Sequence, residues 1–104
     1  MPTSIRVFFD ATNSGDSESF VAAFTDDALL NDWGREYVGH GGIREWDHTD
    51  NIGVRSRLEL LAFEPAREPD TYAVTLRVTG NGYNGTGSMV FRLRDGLIED
   101  LRIG

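Results

Sequence analysis

Few side chains in this sequence can do chemistry. Asp32 stands between Asn31 and Trp33, where partial desolvation beside an indole would suit a carboxylate to general-base work. An aspartate beside a Trp-Gly step is equally a turn stabiliser, its carboxylate bonding backbone amides. His40 lies in a Gly-rich turn and His48 on a helical stretch. Either could polarise a substrate or relay a proton, but no third ligand stands at metal-binding spacing, so both also read as unengaged histidines. Tyr83 and Tyr37 are the candidate hydroxyl donors. Trp33, Tyr37, Trp46 and Tyr83 form an aromatic set that could stack on a planar ligand at a pocket mouth. Gly80-x-Gly82-x-x-Gly85 imitates a dinucleotide fingerprint, but it joins two strands instead of opening a helix.

The remaining chemistry is narrowed by what the sequence lacks. With no cysteine, disulfides, thiolate metal sites and a cysteine nucleophile drop out. All ten basic residues are arginine, so lysine Schiff-base chemistry drops out too. A formal charge of −7 repels phosphate and anionic lipid, which makes nucleic acid and membrane poor partners. No apolar run approaches the ~20 residues of a bilayer span, and the opening residues carry no signal core. A cytoplasmic protein is expected. The 104 residues suffice for one domain, 1–104, burying roughly 65% of the unfolded chain's surface.

Three helices and a strand meander are expected to position these residues. Ile5, Phe8, Phe9 and Thr12 fall at helical spacing over Ser4 to Asn13, with Thr3 or Ser4 as N-cap and Gly15 as the stop. Asp16 caps a second helix carrying Phe20, Val21 and Phe24 and ending at Thr25-Asp26-Asp27. Ala28 to Leu30 and Arg35 to Val38 read as short strands around a turn at Asp32-Trp33-Gly34. A third helix after Gly39-His40-Gly41-Gly42 turns Ile43 and Trp46 inward. From Val54 the period becomes two, giving strands Val54 to Glu64, Thr71 to Thr79, Thr86 to Arg94 and Leu97 to Ile103. Helices first and strands last make an α+β layer.

Register follows from pattern, because a one-residue slip exchanges the faces of a strand. Centring the third hairpin on Asn81-Gly82 pairs Val74 with Met89, Tyr72 with Phe91, Leu76 with Gly87 and Val78 with Gly85, so that one face is apolar throughout. Gly85 and Gly87 then stand where side chains would fill space above Leu76 and Val78. Either they let a long sheet bend, or they leave room for a ligand between sheet and helices.

Helix, helix, Asp-Asp-Ala-Leu-Leu, the stretch Asn31 to Trp46 with its Gly-x-x-x-Ile-Arg-x-Trp element, and a meander ending Arg94-Asp95-Gly96-Leu97-Ile98 together resemble the nuclear transport factor 2-like superfamily. The SnoaL-like polyketide cyclase and ketosteroid isomerase branch is the best fit. The resemblance spans essentially the whole chain. It implies a cone in which three N-terminal helices pack on a strongly curved, mainly antiparallel sheet, with a pocket at the wide end and a homodimer through the sheet's outer face. It also implies an aspartate base at Asp32. The tyrosine that donates to the oxyanion in those isomerases falls on Phe8, and their protonated aspartic acid falls on Met89. Neither can donate a hydrogen bond. The essential acid of epoxide hydrolase relatives falls on Ile103.

Two functions follow as expectations. The first is proton transfer on a hydrophobic carbonyl compound without metal or cofactor, with Asp32 as base and Tyr83, Tyr37 or a histidine such as His48 as helper. The second is non-catalytic binding of a small hydrophobic molecule, or a dimerisation module. The expected pocket is lined by Phe8, Phe24, Trp33, Tyr37, Trp46, Leu76, Gly87, Met89 and Ile103.

Overall fold

A computed structural model describes all residues, 1–104. The helix α1 runs Thr3–Ser14. Its N-cap is Pro2, with no side-chain cap, so neither Thr3 nor Ser4 takes the expected role. Gly15 ends α1 in the left-handed conformation at φ 76°, which glycine adopts without a Cβ penalty. Asp16 caps α2, Ser17–Ala22, accepting from the Ser19 amide at 3.1 Å.

The expected end of the second helix is corrected. Helix α2 stops at Ala22, and Phe24 opens a nine-residue strand, β1, Phe24–Asp32. Asp26 and Asp27 hid this strand, because they break its apolar alternation where its pairing with the last strand shifts register between Phe24 and Leu29. Strand β2, Arg35–Val38, follows across the turn Trp33-Gly34, whose φ values of 52° and 91° are both positive. Two such residues form the tight hairpin turn that matches strand twist. Helix α3, Gly39–Asp50, buries Ile43 and Trp46 and includes the glycines expected to precede it.

Val54 belongs to a single 3-10 turn, Ile52–Val54, and not to a strand. The meander comprises β3, Arg57–Pro65; β4, Thr71–Thr79; β5, Gly85–Arg94; and β6, Leu97–Ile103. The four strand pairs expected between β4 and β5 are all present. The connection is a longer loop than a two-residue turn, held by the Asn84 side chain on the backbone of Gly80 and Gly82.

The six strands form one sheet in the order β2-β1-β6-β5-β4-β3, antiparallel except where β1 runs parallel to β6. That parallel pair closes the chain on itself, since it joins the first strand to the last. Phe8, Phe20, Phe24 and Phe91 fill the interior, with Phe8 5.1 Å from both Phe20 and Phe91 between ring centroids. Edge-to-face and tilted packing of this kind favours a unique, solid core. No helix is long and apolar enough to cross a membrane.

Candidate functional site

The sheet's inner face and the C-terminal half of α3 do not close completely on each other. Between them lies a cavity of about 270 Å³. Its apolar walls are Leu58, Leu76, Val78, Met89 and Ile103, with Trp46 above them. The volume falls just under the ~300–1,000 Å³ usual for drug-sized ligands, so a small compound fits best. A Cβ built on Gly87 meets nothing within 4 Å. The absent side chain is therefore part of the opening. Gly85 is different: a Cβ there would stand 2.6 Å from the Tyr83 hydroxyl oxygen, so it makes room for Tyr83.

Asp32 ends β1, paired on one side with Arg35 and on the other with Ile103. It lines the cavity, with its side chain 12% exposed. Its Oδ2 accepts from the Trp46 indole Nε1 at 3.0 Å and from Arg35 Nη2 at 2.7 Å. Its Oδ1 accepts from no protein group, yet it is not among the buried polar atoms left without a partner. One oxygen is thus pinned by two donors, while the other is free of protein donors and reached by solvent. The turn role considered for Asp32 belongs to its neighbour: Asn31 Oδ1 accepts from the Gly34 amide at 2.9 Å, a side-chain turn of the Asx kind.

Arg35 completes a charged cluster that sequence reasoning missed. Its Nη2 also donates to Asp50 Oδ1 at 3.2 Å, so one guanidinium nitrogen bridges the end of β1 and the end of α3. The Tyr37 ring lies 5.9 Å from the guanidinium carbon, within cation–π range. The hydrogen bond that Arg35 donates to Asp50, with the charges of Asp50 and Asp32, raises Arg35 above the ordinary arginine value. The available signal was the hairpin itself, because a two-residue Trp33-Gly34 turn makes Asp32 and Arg35 cross-strand neighbours. Asp50 follows from helical spacing, four residues after Trp46 on the same face.

The expected site residues divide. Asp32, Trp33, Trp46, Leu76, Tyr83, Gly87, Met89 and Ile103 line the cavity. Trp33 and Tyr83 do so from the rim, 79% and 61% exposed. Phe8 and Phe24 are corrected: both are buried in the aromatic interior and neither reaches the cavity, because Phe8 of α1 and Phe24 at the start of β1 pack against each other at the closed part of the same sheet face, beside Phe91. Tyr37 stands behind Arg35, outside the lining. His48 is exposed and outside it too, since Trp46, Thr49 and Asp50 take the cavity-facing side of α3. His40 Nε2 lies 2.9 Å from the Phe24 carbonyl oxygen, away from the cavity. No three His, Asp or Glu side chains converge as a metal site.

Among curated proteins none matches this chain. Solved structures do. A polyketide cyclase candidate from Sinorhizobium meliloti is 25% identical, with a TM-score of 0.89, over 100% of this chain and 95% of its own. A Mycobacterium tuberculosis protein solved with estradiol-17beta-hemisuccinate is 19% identical, with a TM-score of 0.83, over 96% of this chain and 88% of its own. The Δ5-3-ketosteroid isomerase of a Mycobacterium species is 24% identical, with a TM-score of 0.81, over 97% and 88%. The sequence profile of the SnoaL-like domain matches residues 5–101. Three helices on a curved six-stranded sheet, an open cavity at the end of α3 and a family profile spanning nearly every residue lead to one assignment: the chain belongs to the SnoaL-like domain family, within the nuclear transport factor 2-like superfamily.

Proposed function

We propose that the protein catalyses proton transfer on a small hydrophobic carbonyl compound, with Asp32 as the general base. The observation that carries this is the division of labour between the two carboxylate oxygens. Oδ2 is fixed by Trp46 and Arg35, while Oδ1 has no protein donor in a residue that lines an apolar cavity. A base held on one oxygen needs little reorganisation when the other takes a proton, which is how orientation lowers a barrier. The apolar walls limit the water around the carbanion. Tyr83, at the rim, is available as a hydroxyl donor to the substrate. The same reading takes residues 1–104 as one domain that self-associates through the outer sheet face, where Val90 is exposed among the ion pairs of Arg92 and Arg77.

Deuterium exchange at the carbon beside the carbonyl, followed by NMR for small cyclic ketones, tests the proposal. Wild type should exchange these protons, and Asp32→Asn should bind the same ketones without exchange. Equal exchange by wild type and Asp32→Asn would refute the base. A second reading, a binding protein without turnover, is favoured by the apolar residues Phe8 and Met89 at the two donor positions of the isomerases. Ketone binding with no exchange by wild type would select it.

A further inference from the structure

We propose that Arg35 donates the hydrogen bond to the substrate's carbonyl oxygen, and that the cavity therefore selects an uncharged, enolisable carbonyl compound over a carboxylate. This rests on Asp32 acting as the base, and it fills the gap left by Phe8 and Met89, which offer no donor where the negative charge develops.

A guanidinium carries five N–H donors in a rigid fork. In Arg35 both recorded side-chain bonds leave from Nη2, to Asp32 and Asp50. Nε and Nη1 donate to no protein group, the side chain is 56% exposed, and Arg35 is the only cation lining the cavity. Two carboxylates and the Tyr37 ring fix the fork from three sides. Its spare donors are thus presented in a fixed direction beside the base.

The reacting unit fits this adjacency. In a group of the form H–C–C=O the departing proton and the oxygen are close neighbours, so base and donor must stand side by side. The contact of Nη2 with Asp32 Oδ2 at 2.7 Å makes them so. Asp32 Oδ1 takes the proton, the C–H electron pair forms the C=C bond, and the carbonyl π pair moves onto oxygen. The resulting enolate oxygen is held by Arg35, which stays protonated throughout. Return of a proton from Asp32 to the same carbon regenerates the ketone with its proton exchanged, and needs no oxidant or further reactant. Tyr83 is about as exposed as Arg35, but no hydrogen bond holds its hydroxyl, so it is the less preorganised donor.

Charge decides the ligand class. The one positive charge of Arg35 faces the two negative charges of Asp32 and Asp50, so the mouth is net negative, and the chain as a whole carries −7. A free carboxylate is repelled there, whereas a neutral carbonyl needs only the spare N–H groups.

The test uses 1-indanone labelled with carbon-13 at the carbonyl, and reads the infrared carbonyl band of the bound ketone. Bound to wild type, the band should lie at lower frequency than when bound to Arg35→Met. Asp32→Asn should keep the lowered band while losing proton exchange. Exchange by Arg35→Met should fall by about 10²–10³-fold, as on removal of an oxyanion donor. Where Arg35→Met does not fold, Arg35→Gln should show a smaller band displacement than wild type. The same band in wild type and the Arg35 variant would overturn the proposal, as would tighter binding of indane-1-carboxylate than of 1-indanone. A lowered band without exchange in wild type would remove the base and leave the Arg35 contact standing. Failure of 1-indanone to bind would overturn both.

Discussion

Replacing Gly87 by valine should make the protein more stable and less able to bind, and the two effects share one cause. Gly87 lies in β5 opposite Leu76, and a Cβ there meets no atom within 4 Å. Its backbone is outside the left-handed region, since φ is not positive, so a β-branched residue fits the strand. Three added carbons at ~0.8 kcal/mol each give an upper bound of about 2.4 kcal/mol. Part of that is lost because the cavity is open to water. Removing glycine from a strand interior returns roughly 0.5–1 kcal/mol. A net gain of about 1.5–3 kcal/mol corresponds to a rise in Tm of roughly 5–15 °C for a domain of this size. The same carbons occupy space a ligand would use. Losing about 2.4 kcal/mol of ligand burial weakens affinity by roughly fiftyfold, each 1.4 kcal/mol being tenfold. Calorimetry gives the first number, and titration with 1-indanone or another apolar ketone gives the second. Unchanged ketone affinity in Gly87→Val would refute the idea that this glycine opens the binding space. A fall in Tm would show that the sheet needs glycine there in order to bend.

Phe8→Tyr restores the side chain that ketosteroid isomerases would have at this place, but it should not restore a donor. Phe8 is fully buried between Phe20 and Phe91, so an unpaired hydroxyl there should cost about 1–3 kcal/mol. Exchange activity should not rise, and a rise with unchanged Tm would contradict the assignment of Phe8 to the closed core. Acid should destabilise the fold in a defined window. Hydrogen bonds from Ser19 to Asp16, from Arg44 to Glu18 and from Arg94 to Asp27 hold these carboxyls below their ordinary values of 3.8, 4.5 and 3.8. A lowered folded-state value means the stabilisation is present above those pH values and is lost as pH falls through and below them. The slope of Tm against pH below about pH 4.5 should therefore flatten in the triple variant Asp16→Asn, Glu18→Gln, Asp27→Asn, and an unaltered slope would assign the acid sensitivity elsewhere.

Local pattern carried much of the architecture. Glycine and aspartate at the α1–α2 corner, period-two alternation in the meander and the Asn81-Gly82 centre fixed element types and the β4–β5 register, because turn chemistry and face parity act within a few residues of chain. A gap at Gly87 followed from the same face parity, with sheet bending and ligand space both open as its reason, whereas a place for Asp32 beside a pocket came only with the family resemblance. Strand β1 was half hidden, since its two exposed aspartates interrupt the alternation and its partner β6 is remote in sequence.

The tertiary structure decided which apolar residues are wall and which are filling. Phe8 and Met89 read alike as apolar replacements, but the curvature of the sheet puts Met89 on the cavity and Phe8 in the closed interior. It also decided what Asp32 is bonded to. Trp46 and Asp50 come from α3 and Arg35 from β2, and the angle between helix and sheet determines whether those side chains converge. A hydrogen bond requires atoms placed to a few tenths of an ångström, and no pattern of residue types along the chain has that resolution.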